Sequence, residues 1–399
     1  MPEFKRARYQ QLLDAGLTAL RQREYEEIKV SEVADTAGLA RATLYNYFIS
    51  KEHLYAVIFR QWTETEPQRL STPSESGAER ARTRVDAIVS AVERHPQFHK
   101  LSITLSASTE AEVQAELSAT GARMRRLFAA DFAAFGVPSP QDAAAMLQAL
   151  INSLLTGAVH QRIPFSEVYR LTTGFIDLYD PRNAGTVDRS PHQEHPEPVP
   201  APAPRTDKAM PPAQLQRRDR IVAAALDALR EQPYEQIHVT DIAQRAQVAL
   251  GTFYRYFPSK ELLYAFALQK WSLSGRFLLP LPHLDAETRI RARTNAAIDA
   301  FETDLQFFKT TNLLYSAKDK EVQTVLTEMT HTGKAVFLED FSTLGTENPE
   351  DAASMLWAII NSLAISVIHH NGSFPETRRI ASEFISLVTN STHRDRPRD

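Results

Sequence analysis

The feature that most constrains this chain is a segment that occurs twice, 209 residues apart. Residues 28–55 read IKVSEVADTAGLARATLYNYFISKEHLY, and residues 237–264 read IHVTDIAQRAQVALGTFYRYFPSKELLY. The same offset relates DAAAMLQALINSLLTGAVH at 142–160 to DAASMLWAIINSLAISVIH at 351–369. Because the register holds far beyond the first segment, a whole domain, and not a single motif, has been duplicated within one chain.

Composition favours two helical domains in a reducing compartment. A chain of 399 residues suits two domains of about 150–200 residues each. Only 13 glycines are present, and alternation of Val, Ile and Thr is scarce, which favours helices over strands. The chain has no cysteine, which excludes disulfides and thiol chemistry and fits the cytoplasm. Because no apolar run approaches the roughly 20 residues of a membrane span, we expect a cytoplasmic protein without a membrane partner.

We predict an all-α fold in which each copy has an N-terminal head and a longer helical body. A proline-rich stretch with the sequence PEPVPAPAP separates the copies and favours extended polyproline II. The expected boundaries are a first head at 1–64, a first body at 65–180, a linker at 181–212, a second head at 213–273, a second body at 274–390 and a flexible tail at 391–399.

Each repeated segment has the pattern of two short helices, a tight turn and the start of a longer helix. Small residues suit the place where the two short helices cross, as with Ala34 and Ala243. Ser50 and Ser259 are expected to cap the longer helix that follows. Since a major groove admits one helix held by another, the pattern predicts two DNA-reading heads. The net charge of −4 does not exclude this, because a local basic face is sufficient.

The segments TLYNYFISKEHL and TFYRYFPSKELL resemble the T-x-Y-x-(H/Y)-F-x-(S/T)-K-E-x-L signature of the TetR family of bacterial transcriptional regulators. The resemblance is strong in both heads and weak through the bodies. It implies a tandem regulator, two complete TetR-like copies in one chain, that binds double-stranded operator DNA. A repressor is expected, because the family mostly represses. The resemblance assigns phosphate contacts to Thr43, Tyr47, Lys51, Thr252, Tyr256 and Lys260. It assigns contacts with bases or the groove floor to Arg41, Ala42, Tyr45, Asn46, Leu250, Gly251, Tyr254 and Arg255.

The two predicted reading faces are not equivalent. Arg41 is replaced by Leu250, and Asn46 is replaced by Arg255. Asparagine pairs naturally with adenine and arginine with guanine. We therefore expect different half-sites and an asymmetric or imperfectly palindromic operator.

The turn within the head also differs between the copies. The first copy has Gly38, the usual residue of the family, and the second has Gln247. A left-handed conformation costs a residue other than glycine roughly 1 kcal/mol, so a differently shaped turn is expected in the second head. Together with Leu250, this difference leaves an alternative open: the second head no longer reads DNA and serves only as a pairing partner.

The resemblance implies a pairing surface and an effector pocket in the bodies. TetR-like proteins pair through their last two long helices, which here correspond to 142–178 and 351–387. The two copies are therefore expected to pair within the chain as a pseudo-dimer, and chains could associate further on DNA. A small hydrophobic or aromatic effector is expected in the bodies, although aromatic residues at helical spacing are more often core. The candidate lining residues are Phe98, Phe128, Phe132, Asn152, Phe307, Phe308, Phe337, Trp357 and Asn361.

No catalytic pattern is present. The sequence has no Ser/His/Asp arrangement, no glycine-rich phosphate loop, no HExxH motif and no paired carboxylates in a plausible pocket. We therefore predict no enzyme activity, no cofactor and no metal site. The expected location is the bacterial cytoplasm, at the nucleoid when the protein is bound to DNA.

Overall fold

The computed structural model describes residues 2–65, 76–179, 211–369 and 372–394. Within these ranges the chain is helical and has no strand, which confirms the predicted all-α class. The chain divides into two compact units, built mainly on the first and the second copy. The predicted linker, 181–212, lies outside the described residues except at its last two positions, where Pro212 begins a helix.

The first copy has nine helices in its described part, of which the first four form the head. A 3₁₀ turn at Tyr25–Glu27 separates the first two of them. The helices are α1 (Glu3–Gln22), α2 (Val30–Thr36), α3 (Arg41–Tyr45), α4 (Lys51–Thr65), α5 (Gly77–Arg94), α6 (Pro96–Ser106), α7 (Ala111–Ala134), α8 (Pro140–Val159) and α9 (Phe165–Asp177).

The body of the first copy is a bundle built around α7. Helix α7 packs against α4, α5 and α8, and α9 packs against α5 and α8. Local sequence sets where these helices begin. Ser76 and Glu79 form a capping box at the start of α5, and prolines at the first turn start α6 and α8. Because α4 contacts α7, the head is connected to the body through a packed helix.

The second copy repeats this order, with an additional 3₁₀ turn at Arg276–Leu278. Another 3₁₀ turn, at Tyr234–Gln236, follows its first helix. The helices are α10 (Pro212–Glu231), α11 (Val239–Arg245), α12 (Leu250–Tyr256), α13 (Lys260–Leu273), α14 (Ala286–Thr303), α15 (Leu305–Leu314), α16 (Lys320–Leu344), α17 (Pro349–His369) and α18 (Phe374–Arg394).

The last helix extends beyond its predicted end. Residues 391–394, which were assigned to a flexible tail, belong to α18. The hydroxyl of Thr392 donates to the backbone oxygen of Val388 at 2.9 Å, and the Thr392 side chain is buried. Packing therefore continues the helix past the predicted boundary, and residues 395–399 lie outside the described ranges.

The bodies share an ion-pair framework at the 209-residue offset. In the first copy, Arg80 and Arg84 of α5 bind the two carboxylate oxygens of Asp131 in α7, at 3.1 and 2.9 Å. In the second copy, Arg289 and Arg293 bind Asp340 in the same way, at 2.7 Å each. Both aspartates are buried, and such groups are stable only when they are paired. Both copies have therefore kept the same cluster of two arginines and one buried aspartate between equivalent helices.

Among the described residues, two helices have the length and composition of a membrane span. They cover Pro140–Val159 and Pro349–Ile368, with mean hydropathies of 1.2 and 1.6. The structure buries 61% and 44% of their most apolar windows. A buried core helix passes the same test, so two such helices are weak evidence for a membrane protein.

Candidate nucleic-acid interface

The heads are held together by one small core each. In the first head, Leu12, Leu20, Val33, Leu44 and Leu54 are buried and come from all four helices. A tyrosine hydroxyl also ties the fourth helix to the first in each copy. In the first copy the Tyr55 hydroxyl donates to the backbone oxygen of Gly16 at 3.3 Å. In the second copy the Tyr264 hydroxyl donates to that of Ala225 at 3.1 Å. These contacts fix the short helices relative to the long ones.

The turn between the two short helices has the same shape in both copies. Gly38 has a φ of 66° and Gln247 a φ of 54°, so both lie in the left-handed region. The next backbone N–H bonds five residues back in each case, from Leu39 to Ala34 at 2.9 Å and from Val248 to Ala243 at 3.0 Å. This is the Schellman arrangement that ends many helices. The expectation of a differently shaped second turn was wrong, because Gln247 adopts the left-handed conformation.

The third helix of each head, which we call the reading helix, places its side chains in a fixed pattern. One apolar residue faces the core, Leu44 in α3 and Phe253 in α12. The residues predicted to face bases are all exposed: Arg41, Ala42, Tyr45, Asn46, Leu250, Gly251, Tyr254 and Arg255. The threonines and second tyrosines predicted to touch phosphate are half-buried at the edges of this face: Thr43, Tyr47, Thr252 and Tyr256. Each reading helix therefore presents one solvent-facing surface.

The two exposed surfaces carry different chemistry on a shared frame. Tyr45 and Tyr254 occupy equivalent positions and are 42% and 47% exposed. In the first head the Arg41 guanidinium lies 5.6 Å from the centroid of the Tyr45 ring and donates to its hydroxyl at 3.4 Å. In the second head Leu250, 42% exposed, stands in place of this arginine. The positive charge instead lies at Arg255, toward the other end of the helix.

Lys51 and Lys260 are half-buried, and their ammonium groups contact the 3₁₀ turns of their own heads. Their ammonium groups donate to the backbone oxygens of Tyr25 and Tyr234, at 2.6 and 2.5 Å. Each Nζ also lies 3.9 Å from the centroid of the same tyrosine ring, within the range of a cation–π contact. Burial lowers the pKa of both ammonium groups. Contact with phosphate stays a prediction for these lysines, which here hold α4 and α13 against the preceding 3₁₀ turns.

The serines that were predicted to cap α4 and α13 do so. Ser50 and Ser259 each accept a bond from the backbone N–H three residues on, at 2.9 and 3.1 Å. Ser50 also donates to the carboxylate of Glu110, at the start of α7, at 2.5 Å. The equivalent acid of the second copy is Asp319, which accepts from the first backbone N–H groups of its own helix α16. In the first copy, the cap of α4 is therefore also a link between head and body.

The candidate effector residues lie mostly in the cores of the bodies. The six phenylalanines are buried: Phe98, Phe128, Phe132, Phe307, Phe308 and Phe337. Asn152 is exposed, whereas Trp357 and Asn361 are half-buried. The Trp357 ring lies 6.2 Å, between centroids, from both Phe277 and Phe337. Stacked rings at 4.3 Å, Trp62 on Phe98 and Phe301 on Phe308, show how tightly these cores are packed.

Sequence reasoning missed the inward contacts of the head. The bond from each lysine to a tyrosine backbone oxygen spans 26 residues in both copies. The spacing from Tyr25 to Lys51 equals that from Tyr234 to Lys260, and this repetition was the one feature of the sequence that could have indicated the contact. The link from Ser50 to Glu110 spans 60 residues and has no such signal, because Asp319 does not repeat it.

The order of the helices defines the class of protein. The chain has two helix–turn–helix heads, and each is followed by a helical body. Both heads match the model of the bacterial regulatory proteins of the TetR family, at residues 12–58 and 221–265. The chain is therefore a tandem TetR-like protein.

Three curated relatives share similarity with parts of the chain. The HTH-type transcriptional repressor KstR of Rhodococcus jostii strain RHA1 is 29% identical over 126 residues, which are 31% of this chain and 59% of that protein. KstR of Mycolicibacterium smegmatis is 48% identical over 56 residues, 14% of this chain and 28% of that protein. The fatty acid metabolism regulator protein of Bacillus subtilis is 35% identical over 57 residues, 14% of this chain and 29% of that protein. The matches thus span three fifths of these relatives' length or less.

Solved structures resemble the chain over less than half its length. The crystal structure of a TetR transcriptional regulator from Rhodococcus sp. RHA1 covers 44% of this chain and 97% of its own, at 21% identity and a TM-score of 0.39. By their names, the KstR relatives are transcriptional repressors and the Bacillus subtilis relative is a regulator protein, in agreement with the prediction that the chain is not an enzyme.

Proposed function

We propose that the chain is a DNA-binding transcriptional repressor of the bacterial cytoplasm that reads an asymmetric operator with two non-identical heads. The observation that carries the proposal is the pair of reading helices, which share a backbone frame and a buried anchor but expose different residues. Tyr45 and Tyr254 are common to both faces, and Arg41 and Arg255 place their charge at different ends. Repression is supported by the relatives in whose names the word repressor stands.

The physical basis of asymmetry is the position of the arginine. A side chain that pairs well with a base edge contributes about 1–3 kcal/mol of discrimination. Moving a guanidinium from the start of one helix to the end of the other moves the base pair that it contacts. Two heads of this kind favour two half-sites of different sequence, centred one helical turn or about 34–36 Å apart.

Selection from a random duplex pool, followed by footprinting, tests this proposal. The wild-type chain is expected to protect two unlike half-sites. Arg41→Ala/Tyr45→Ala should lose one of them and Tyr254→Ala/Arg255→Ala the other, with a drop in affinity of about 10-fold or more. All four positions are exposed, so the fold should be unaffected. Leu313→Ala, an exposed position in the second body, is the control that should leave both footprints unchanged.

Two outcomes would count against the proposal. Identical half-sites would show that the differences between the reading helices do not matter. Protection of one half-site, lost only in the first-head variant, would instead establish the alternative in which the second head is a pairing partner. That alternative is favoured by Leu250, an apolar side chain on the exposed face.

We also propose that the two bodies pair within one chain through 142–178 and 351–387. The support is the family's mode of pairing together with the duplication of these segments in one polypeptide. A single chain of 44.9 kDa should then occupy a full operator. Sedimentation of the complex on a selected duplex measures the stoichiometry, and two chains per operator would contradict intramolecular pairing.

For the second body, we propose a small hydrophobic effector that lowers DNA affinity. The support is the aromatic group around the half-buried Trp357, and one relative bears the name fatty acid metabolism regulator protein. Dodecanoate is a suitable probe, since it should quench tryptophan fluorescence and release the selected duplex. Trp357→Phe should remove the quenching, and an unchanged signal in that variant would place the binding elsewhere.

A further inference from the structure

The contact between head and body, which we call the junction, is built differently in the two copies. In both, the last helix of the head packs on the long helix of the body, α4 on α7 and α13 on α16. One side of the body helix has four positions at helical spacing, which are Val113, Glu116, Leu117 and Thr120 in α7, and Val322, Val325, Leu326 and Met329 in α16. All four are buried in the second copy, but only Val113 is buried in the first. The first junction is therefore less apolar than the second.

Charged groups take part in the first junction. The guanidinium of Arg60 in α4 binds the carboxylate of Glu116 in α7 at 2.6 Å and that of Glu64, in its own helix, at 3.2 Å. A second ion pair lies at the other end of the head. There the ammonium group of Lys100 in α6 binds Glu24, which follows α1, at 2.8 Å. Two ion pairs therefore join the first head to its body.

Neither of these pairs can recur in the second copy. The positions of Glu24, Arg60 and Glu116 are occupied there by uncharged residues, Pro233, Gln269 and Val325. One buried apolar cluster runs from α10–α13 of the head into α15 and α16 of the body, and Val325 belongs to it. The second head and its body therefore share a continuous core.

Salt distinguishes the two kinds of junction. Dissolved ions screen the attraction between two charges, with a Debye length of about 10 Å at 0.1 M and about 3 Å at 1 M. Burial of apolar surface involves no charge and is not screened. Two polar contacts of the second junction also have a neutral donor, since the amide of Gln269 binds Glu328 at 3.2 Å and the indole of Trp271 binds Asp304 at 2.9 Å. Ionic strength should therefore act on the first junction more than on the second.

We propose that the first head is held on its body by a salt-dependent junction, so that rising ionic strength loosens this head while the second head stays in place. The pairs Arg60–Glu116 and Lys100–Glu24 produce the response. Their side chains are 25–46% exposed, so ions of the solvent reach them. The chain can in this way change the mobility of one head alone. The junction forms without DNA and is independent of the proposed function.

Distances between spin labels measure how firmly each head is held. The chain has no cysteine, so a single pair of labels can be introduced without removing native residues of that type. Equivalent exposed positions of head and body serve in the two copies, with Gln11→Cys and Ala130→Cys in the first and Arg220→Cys and Glu339→Cys in the second. Pulsed electron paramagnetic resonance on the full chain then compares about 0.1 M with about 1 M sodium chloride. The distance distribution of the first pair should broaden, with about 2- to 10-fold more of the loosened form, and that of the second should not change.

Substitutions assign the response to the ion pairs. Arg60→Gln/Glu116→Val installs the residues of the second copy and should weaken the broadening. The same variant with Lys100→Ala added should abolish it, because both pairs are then absent. The matched control is Arg23→Gln/Glu32→Gln, which removes an ion pair of 2.7 Å that lies within the first head and should leave the broadening unchanged.

Four results would overturn the proposal. The first is equal broadening in the two copies, and the second is no broadening in the first copy. The third is full broadening in the variant that lacks both ion pairs. The fourth is a control variant that loses the response as well, because screening within the head would then be its cause.

Discussion

The left-handed turn offers a reciprocal test of how the two heads are built. Gly38 and Gln247 occupy equivalent positions and share a conformation that favours glycine. We expect Gly38→Ala to destabilise the first head and Gln247→Gly to stabilise the second. No other described atom lies within 4 Å of a Cβ built on Gly38, so the cost of the first change is conformational and not a clash.

The magnitude follows from two opposing contributions. A left-handed conformation costs an L-residue about 1–2 kcal/mol. The lower freedom of alanine in the unfolded chain returns about 0.4–1 kcal/mol of that cost. The net change is therefore about 0.5–1 kcal/mol, with opposite signs in the two heads. This corresponds to a change of about 2- to 5-fold in the local opening equilibrium of the turn.

Hydrogen exchange measured by mass spectrometry resolves the two heads within one chain. Peptides that cover α2 and α3 should exchange about 2- to 5-fold faster in Gly38→Ala, and those that cover α11 and α12 should exchange slower in Gln247→Gly. Each variant serves as the control for the other, because the unchanged head should keep its rates. Slower exchange in Gly38→Ala, or faster exchange in Gln247→Gly, would refute the assigned role of the turn.

Two further predictions concern buried polar groups. The indole N–H of Trp271 donates to the Asp304 carboxylate at 2.9 Å, whereas that of Trp62 is buried with no partner among the described residues. Chemical denaturation should therefore show a larger loss of stability for Trp271→Phe, by about 1–3 kcal/mol, than for Trp62→Phe, and equal losses would contradict the bond. Burial, with His160 nearby, lowers the pKa of His99 to about 4, so its contribution to stability is complete above pH 6.5 and is lost as the pH falls toward 4. Thermal unfolding from pH 7 to 5 should show this loss, less steeply in His99→Phe, and a variant with an unchanged slope would exclude His99 as its source.

The sequence predicted the heads well because their chemistry is local. The resemblance to the family assigned the residues of the exposed face, and the structure adds that Leu44 and Phe253 face inward. The caps at Ser50 and Ser259 were predictable for the same reason, since a serine accepts from a backbone N–H only three residues away. The duplication supported the assignment of the heads a second time, because a chance match to the signature would not recur at the same offset as the rest of the domain.

The error at Gln247, and the contacts that were not foreseen, came from effects that a local pattern does not contain. Gln247 adopts a left-handed conformation because the packing of α11 against α12 outweighs a cost of about 1 kcal/mol. The ammonium groups of Lys51 and Lys260 find acceptors 26 residues back, which no spacing within the signature indicates. The expected pocket residues were chosen for aromatic character, and the same character suits a packed core, where the six phenylalanines lie.

The internal ties of each head suggest how new specificity could arise in this chain. Two hydrogen bonds recur in both copies: one from a lysine ammonium group to a tyrosine backbone oxygen, and one from a tyrosine hydroxyl to the first helix. Each head is therefore stabilised by its own internal contacts. A mutation on one reading helix alters one head only, whereas in a protein made of identical subunits it alters both at once. Under the proposed function, one head can therefore keep its half-site while substitutions in the other change the sequence that it binds. Under the proposed function, the regulatory target of such a gene can change by single substitutions while the other head still binds its half-site.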